Sequence, residues 1–179
     1  MEYFSKIIYP NNYYYSNCQK IVKVKLGYVS CINRFGFQET VFDVVKYNEV
    51  CLIGTTKCLK SYTKTSIEMR SINQSNLNNL LTIYEQQTQR MEEIAVIHSY
   101  NNFKKRISSF LLWAEKKDLL ESINHRIIAE ILLMQRETVS RLLSSFKKQN
   151  IINYSYKTTK NLYRINIVNR KYLLEYEAG

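Results

Sequence analysis

Long hydrophobic runs, glycine and proline are scarce in this chain. No apolar run reaches the roughly 18 residues that a transmembrane helix requires, so no membrane-spanning segment is expected. The first residues lack the apolar core and the small-residue cleavage site of a signal peptide. Only 4 Gly and 1 Pro occur in 179 residues, whereas Asn, Ile, Lys and Tyr are used heavily. Because the codons of those four residues are rich in A+T, the bias indicates an A+T-rich genome, such as that of an organelle or endosymbiont.

Residues suited to catalysis or metal binding are also few. The only histidines are His98 and His125, and His98 falls on an apolar helical stripe where a packed histidine is the default. The segment 54–56 lacks the GKS/T and the following helix of a phosphate loop, which indicates an ordinary turn. The four cysteines form no CxxC pair, so reduced thiols are favoured over a metal site. We therefore expect no enzymatic activity, no metal and no cofactor. The cysteines are Cys18, Cys31, Cys51 and Cys58.

Positive charge is concentrated in the C-terminal half. The chain carries a net charge of +11 and has a pI near 9.4. Residues 99–179 contain 15 Lys and Arg against 7 Asp and Glu, whereas residues 1–98 contain 11 against 8. Such an excess points to an anionic partner, either nucleic acid or a membrane surface. The basic residues cluster around a helix–break–helix pattern, which favours nucleic acid.

The N-terminal part is predicted to form strands. Residues 20–32 alternate apolar and polar side chains with the period of a half-buried strand, and Gly27 indicates a turn or bulge within this run. Residues 33–36 are expected to form a hairpin connection. Further strands are predicted at 39–45, 50–53 and 66–72. About five short strands of this kind indicate a small antiparallel roll or sandwich.

Residues 76–100 contain neither Gly nor Pro and are predicted to form one long helix. Apolar positions recur there every three or four residues, as in a coiled-coil seam. The helix is expected either to pair with a second copy or to lie on the strand domain, and the narrow stripe favours the dimer. Charged residues off the stripe, Arg90 among them, are expected to be solvated. The predicted seam contains Leu77, Leu80, Tyr84, Gln87, Met91, Ile94 and His98.

Three helices are predicted between residues 103 and 149. The first covers 103–117, with Ile107, Phe110, Leu111 and Ala114 facing inward. Asn124 is the candidate N-cap of a second helix over 125–132. After a break at 134–135, a third helix covers 136–149. Its buried stripe is predicted to contain Val139, Leu142, Leu143 and Phe146.

The opposite face of the 136–149 helix is polar and basic. A helix in the major groove contacts base edges from its N-terminal turns, where Arg pairs with guanine and Glu accepts a hydrogen bond from cytosine. Residues 151–156 and 162–167 alternate like the two strands of a hairpin, with Lys157 and Lys160 near its tip. The sequence therefore predicts a winged helix-turn-helix that reads DNA.

Two segments of this region resemble the DNA-binding domain of the Crp/Fnr family of transcription regulators. They are NHRIIAEIL at 124–132 and QRETVSRLLSSFKKQNII at 135–152. The resemblance is strong over 99–172 and weaker upstream, where KLGYVSCI at 25–32 is similar to a family strand and 76–100 to its dimerisation helix. With the A+T-rich composition and short length, the chain is most similar to the nitrogen-control (NtcA-like) branch encoded in red-algal plastids.

This resemblance implies an α+β architecture in three parts. They are a reduced antiparallel β-roll of the cyclic-nucleotide-binding type at 1–75, a dimerisation helix at 76–100 and a winged helix-turn-helix at 101–179. It implies a homodimeric regulator of nitrogen-related genes in the plastid stroma, or alternatively in a bacterial cytoplasm. Its partners would be double-stranded DNA and RNA polymerase.

Site residues follow from the same resemblance and from the basic surface. Arg136, Glu137 and Arg141, supported by Ser140, are expected to read bases. The expected phosphate contacts are Asn124, Arg126, Gln135, Thr138, Lys147, Lys148, Lys157 and Lys160.

Two positions depart from the family pattern. Leu133 stands where the turn usually has Gly, so a strained or reshaped turn is expected. The region matching the effector pocket, NEVCLIGTTKCLKSY at 48–62, lacks the Gly-rich segment and downstream Arg that hold a cyclic nucleotide. Two alternative functions stay open. One is an effector-binding sensor, for 2-oxoglutarate or a nucleotide, whose DNA contact is the output; the other is a basic protein that binds nucleic acid without sequence preference.

Overall fold

The computed structural model of the chain divides into two units, Met1–Ala95 and Val96–Gly179. The structure describes residues 4–35, 38–72, 77–121, 123–157 and 162–178. Among these residues, no helix has the length and apolar character needed to cross a membrane. In the same described ranges, no three His, Cys, Asp or Glu side chains gather where they could hold a metal ion.

The described part of the first unit contains eight strands in two antiparallel four-stranded sheets. The strands are β1 (Phe4–Ile8), β2 (Tyr13–Tyr15), β3 (Lys20–Leu26), β4 (Tyr28–Phe35), β5 (Gln38–Lys46), β6 (Val50–Ile53), β7 (Lys57–Ser61) and β8 (Thr65–Ser71). One sheet has the order β1-β8-β3-β6 and the other the order β2-β7-β4-β5. The inward residues of both sheets share one apolar core, which includes Val22, Val29 and Leu59. This arrangement is an antiparallel roll.

The predicted strands are present, and the interruption at Gly27 is a turn between β3 and β4. Its φ is +75°, and a Cβ there would lie 2.8 Å from the hydroxyls of Thr63 and Thr65. Only glycine adopts that conformation in so little space without strain. The Gly54 carbonyl accepts a hydrogen bond from the Lys57 N–H at 3.2 Å, so this segment is the expected turn.

Two features of the roll differ from the sequence prediction. The expected hairpin connection at 33–36 is wrong at its start, because β4 continues to Phe35 and Asn33 pairs with Thr40 of β5. Strands β1, β2 and β7 were not predicted. In β7 the inward residue Leu59 is followed by Lys60, which lies on the opposite side of the strand and is also buried, with its ammonium 5.4 Å from the centre of the Tyr13 ring. Because residues on both sides of β7 are buried, the sequence shows no polar–apolar alternation there.

Helix α1 (Leu77–Ser99) has its buried face at a different place from the predicted seam. The residues buried within the chain follow a 4-3-4-3 spacing: Ile83, Gln87, Arg90, Ile94 and Ile97. Ile94 and Gln87 therefore cannot face a second helix, which corrects their assignment to the seam. Leu80 and Met91 pack against apolar clusters of the roll, and the side chain of Leu77 lies outside the described residues. Of the predicted seam, Tyr84 stays well exposed.

Arg90, which was expected to be solvated, is instead one half of a buried ion pair. Its Nε lies 2.9 Å and its Nη2 3.1 Å from the two carboxylate oxygens of Asp43. Nη2 also donates to the Val50 carbonyl at 2.8 Å. One turn away, Gln87 accepts from the Leu52 N–H at 3.0 Å and donates to the Leu52 carbonyl. These contacts attach α1 to strands β5 and β6.

The second unit contains four further helices and a two-stranded hairpin within its described residues. These are α2 (Phe103–Lys116), α3 (His125–Leu132), α4 (Arg136–Lys148), β9 (Ile152–Lys157), β10 (Leu162–Ile167) and α5 (Arg170–Ala178). The predicted inward residues of α2 are all fully buried. Helix α5, which was not predicted, packs against α2 and buries Leu173.

The hairpin is held against the helices by main-chain contacts. The Ile165 N–H donates to the Leu120 carbonyl at 3.4 Å, and the Ile151 carbonyl accepts from Val168 at 2.9 Å. An ion pair of 2.7 Å joins Arg164 to Glu121. The wing is therefore fixed relative to α4.

Candidate nucleic-acid interface

Asn124 caps α3 as expected. Its Oδ1 accepts hydrogen bonds of 3.0 Å from the N–H groups of Arg126 and Ile127. This satisfies two of the free donors at the helix start. Arg126 is exposed and lies 3.1 Å from Glu130, one turn along the same helix. The pair neutralises part of the charge of Arg126.

The turn between α3 and α4 keeps a left-handed residue although that residue is leucine. Leu133 has φ 54° and ψ 43°, and the following N–H, that of Met134, donates to the Ala129 carbonyl at 2.9 Å. The turn is therefore not reshaped, which corrects one of the two expected outcomes. The side chain of Leu133 is half exposed.

Helix α4 buries one stripe and presents a polar row opposite to it. Val139, Leu143 and Phe146 are buried, whereas Leu142 is only partly buried. The exposed row, which we call the α4 outer row, has 4-3-4 spacing and contains Glu137, Arg141, Ser144 and Lys148. Ser144 was not among the predicted site residues, although helical spacing from Arg141 places it there.

Other predicted DNA contacts surround this row. Gln135 is exposed just before α4 and makes no capping hydrogen bond with its side chain. Thr138 is partly buried, and Lys147 and Lys148 are exposed in the last turn. Lys157 ends β9, and its side chain, like the whole of Lys160, lies outside the described residues.

Ser140 does not share the outer row. It is partly buried, and its Oγ lies 3.0 Å from Nδ1 of His125. The other ring nitrogen, Nε2, lies 3.1 Å from the hydroxyl of Tyr154 on β9. The hydroxyl of Ser140 is thus engaged within the domain, which corrects its expected position beside the outward base readers.

His125 and Tyr154 are the residues that the sequence analysis missed. They line a cavity of about 530 Å³ together with Ile123, Asn124, Arg126, Arg136 and Ile165. Burial lowers the pKa of His125, and the nearby Arg136 guanidinium lowers it further. Burial raises the pKa of Tyr154 to about 12. The residues at 125 and 154 lie 29 positions apart, so no local pattern could have joined them.

Comparisons with known proteins identify this domain and the fold. The model of the Crp-like helix-turn-helix domain matches residues 105–176. No curated protein sequence gives a significant match. Among solved structures, the chain is similar to FixK2 from Bradyrhizobium japonicum, with a TM-score of 0.79 and 16% identity over 100% of this chain and 99% of that one.

Two further structures have the same fold. A mutant of CooA from Carboxydothermus hydrogenoformans gives a TM-score of 0.75 at 17% identity, covering 98% of this chain and 88% of that one. A CRP-family transcriptional regulator from Thermus thermophilus gives 0.75 at 13% identity, covering 97% of each chain. The expected fold class is confirmed: the chain has the Crp/Fnr fold, an antiparallel roll of the cyclic-nucleotide-binding type followed by a Crp-like helix-turn-helix domain.

Proposed function

We propose that the chain is a sequence-specific DNA-binding transcription regulator. The observation that carries this proposal is the α4 outer row, which presents Glu137, Arg141, Ser144 and Lys148 along one exposed face. The row lies on the second helix of a Crp-like helix-turn-helix. The second helix of such a motif enters the major groove, where its N-terminal residues contact base edges.

Base reading is assigned to the first two turns of α4. Arg141 and Arg136 each offer a bidentate guanidinium to guanine O6 and N7, and Glu137 accepts from cytosine N4. We expect a palindrome whose half-site contains TGA preceded by G or T.

Phosphate contacts are assigned to residues around the helix ends. Asn124 and Arg126 lie at the start of α3, and Gln135 and Thr138 at the start of α4, where N–H groups and the helix dipole favour an anion. Lysines at the end of α4 and on the wing complete the set. They are Lys147, Lys148, Lys157 and Lys160.

Selection of binding sites from random duplex DNA by the full chain tests the proposal. A palindromic motif is expected; enrichment of no motif would instead favour a basic protein without sequence preference. Arg141→Ala should then weaken binding by about 1–3 kcal/mol and relax one base position. Lys148→Ala is the matched control, because losing a phosphate contact weakens binding to all DNA sequences alike. It should also reduce the slope of the log binding constant against log salt concentration by about one. An unchanged base preference in Arg141→Ala would refute this docking.

A second copy of the chain is the partner expected under this proposal. The exposed face of α1 carries Leu81, Tyr84, Thr88 and Ala95 at helical spacing, which we call the α1 outer row. Pairing of these rows from two copies would give the dimer the two-fold symmetry that a palindromic site has. The support is the 73% exposure of Leu81 and the 57% exposure of Tyr84 on a helix whose other face is buried at Ile83, Gln87 and Arg90.

Control of nitrogen-related genes, contact with RNA polymerase and a plastid location are the finer parts of the proposal. They rest on the resemblance of the chain, with its A+T-rich composition and short length, to the nitrogen-control branch of the Crp/Fnr family. Recovery of the selected palindrome upstream of nitrogen-assimilation genes in the source genome is the expected result. A palindrome found only upstream of other genes would contradict the control of nitrogen-related genes but not the sequence-specific binding of DNA.

Effector binding by the roll is a second candidate function. A cavity of about 550 Å³ on the β1-β8-β3-β6 sheet is lined by Ile21, Lys23, Val50, Glu68, Met69 and Arg70. Ile21 and Val50 also pack with Leu80 and Ile83 of α1, so an occupant would lie next to the helix. Calorimetry with 2-oxoglutarate and with cyclic nucleotides tests this candidate, and Arg70→Gln should abolish any heat that comes from this cavity.

A further inference from the structure

The cavity beside the start of α4 is suited to an anion. Its described lining includes two arginines, Arg126 and Arg136, and no acidic residue. Arg136 is also the first residue of α4, so the cavity lies at the edge of the face that we assign to DNA.

Both ring nitrogens of His125 are hydrogen-bonded to hydroxyl groups. A neutral imidazole has one N–H donor and one bare nitrogen that accepts. Of its two neighbours, Ser140 and Tyr154, one must therefore donate its hydroxyl hydrogen to the ring while the other accepts. The ring is thus satisfied on both sides at distances of 3.0 and 3.1 Å.

Protonation changes this pattern in a defined way. The imidazolium ring donates from both nitrogens, so the oxygens of Ser140 and Tyr154 both accept and neither hydroxyl hydrogen is directed at the ring. His125 and Tyr154 both line the cavity. One added proton therefore places a positive charge in the lining of the cavity.

We propose that this cavity binds one backbone phosphate of DNA and that protonation of His125, which adds a positive charge to the lining, makes this binding depend on pH. The inference rests on the proposed function, since the phosphate is presented by a duplex lying on α4. One proton is taken up by the imidazole from solvent when the phosphate binds, and no covalent bond changes. DNA binding therefore tightens as the pH falls.

The charged groups around His125 act in the same direction. Arg126 extends from α3 and is partly neutralised by Glu130. Arg136 lines the cavity from α4, and the ammonium of Lys147 lies 5.4 Å from the centre of the Tyr154 ring. These cations oppose protonation in the free protein, and a phosphate group offsets them. Burial is the larger cause of the lowered His125 pKa and remains when DNA is bound. A phosphate offsets the second cause, the charge of Arg136, and so makes the uptake of a proton more favourable.

The test uses the full chain and the duplex recovered by selection. Dissociation constants are measured by fluorescence anisotropy between about pH 5.5 and 8.5 for the wild type and for His125→Gln, which keeps a polar side chain but does not titrate. In the wild type, Kd should rise with pH by up to about tenfold per unit across the window between the pKa values of the free and bound ring, the limit for one linked proton. In His125→Gln this rise of Kd with pH should be absent.

A direct measurement keeps the test independent of the variant's folding. The chain contains 2 histidines, so NMR titration of the wild type gives two imidazole Cε1–H resonances. DNA should raise the pKa of His125, whereas His98, whose Nε2 lies 2.7 Å from the Ile131 carbonyl, serves as the internal reference. Inorganic phosphate alone is the second arm, and it distinguishes a free anion from a phosphate held in a duplex.

Each outcome decides the matter. A raised His125 pKa with DNA, together with a flattened profile in a folded His125→Gln, supports the proposal. An unchanged His125 pKa with bound DNA overturns it, as does a response to inorganic phosphate without one to DNA. If the chain selects no duplex at all, the DNA-reading function itself fails, which is a separate result.

Discussion

Five residues other than glycine have a positive φ in the described part of the chain, and four of them are Asn or Asp. These four are Asn11, Asn48, Asp118 and Asn150, and the fifth is Leu133. Asn and Asp tolerate the left-handed region, whereas a leucine there costs about 1–2 kcal/mol because its Cβ approaches the next carbonyl. The turn before α4 therefore holds its geometry against the preference of its own residue.

Leu133→Gly should accordingly stabilise the second unit. The half-exposed leucine side chain contributes little burial, so relief of strain should raise the free energy of unfolding by about 0.5–1 kcal/mol, after allowing for the greater entropy of unfolded glycine. Urea denaturation measures the change. Asn150→Gly, at another left-handed position, is the control and should change stability by less. A destabilised Leu133→Gly variant would contradict this account of the turn.

The Asp43–Arg90 pair gives a prediction in the first unit. Burial raises the pKa of the Asp43 carboxyl, and the bidentate Arg90 guanidinium opposes that shift. Asp43→Asn leaves a buried, uncompensated guanidinium and should lower the free energy of unfolding by about 3 kcal/mol. Chemical denaturation measures the loss. Glu68→Gln, in the exposed pair with Lys25, should cost less than about 1 kcal/mol.

At the scale of elements, α1 exposes large apolar side chains, Leu81 and Tyr84, in its outer row. Tyr84→Glu places a charge in the α1 outer row and should convert a dimer to a monomer, because an unpaired carboxylate is costly in an apolar interface. Sedimentation equilibrium measures the mass in solution. Gln86→Glu adds the same carboxylate on an exposed position off the row and should leave the mass unchanged. Equal effects of the two substitutions would remove the interface from this face.

How well an element could be predicted depended on where its partners lie in the sequence. Helix α3, its Asn124 cap and the break before α4 follow local rules, and the structure has them where the sequence indicated. The buried face of α1 does not, because Arg90 and Gln87 become suited to burial only through Asp43 and Leu52, which lie 47 and 35 positions away. A polar residue in a helix is ordinarily taken as solvated, so the predicted seam was displaced by part of a turn.

The candidate site shows the same division. Glu137 and Arg141 were predictable because helical spacing fixes their direction once the buried stripe is known. The role of Ser140 was not, since its hydrogen-bond partner, His125, lies at the start of α3, 15 positions away. Helix α5 was missed because, among its described side chains at 170–175, only Leu173 is buried while Tyr172 and Leu174 stay exposed, and one buried position does not define an amphipathic stripe.

For the whole molecule, the two histidines give a prediction of stability against pH. Burial lowers the pKa of His98, with Arg106 adding to the shift and the Ile131 carbonyl opposing it; burial and Arg136 lower that of His125. In the unfolded chain both rings return to ordinary pKa values, so between the folded and unfolded values the unfolded state binds more protons. The contribution of the two histidines to the free energy of unfolding is therefore fully present above about pH 6.5, and it declines as the pH falls toward the folded pKa values.

Bound DNA should remove the contribution of His125 to this loss of stability at low pH. If a phosphate raises the pKa of His125 in the complex, protonation of that ring no longer favours unfolding, and only His98 continues to destabilise the acidic state. The increase in Tm given by saturating DNA should therefore be larger at about pH 6 than at about pH 8, and His125→Gln should remove this difference while His98→Gln should not. Differential scanning fluorimetry of the free and bound protein makes the comparison. An equal increase in Tm at both pH values would mean that DNA binding is not linked to protonation of His125.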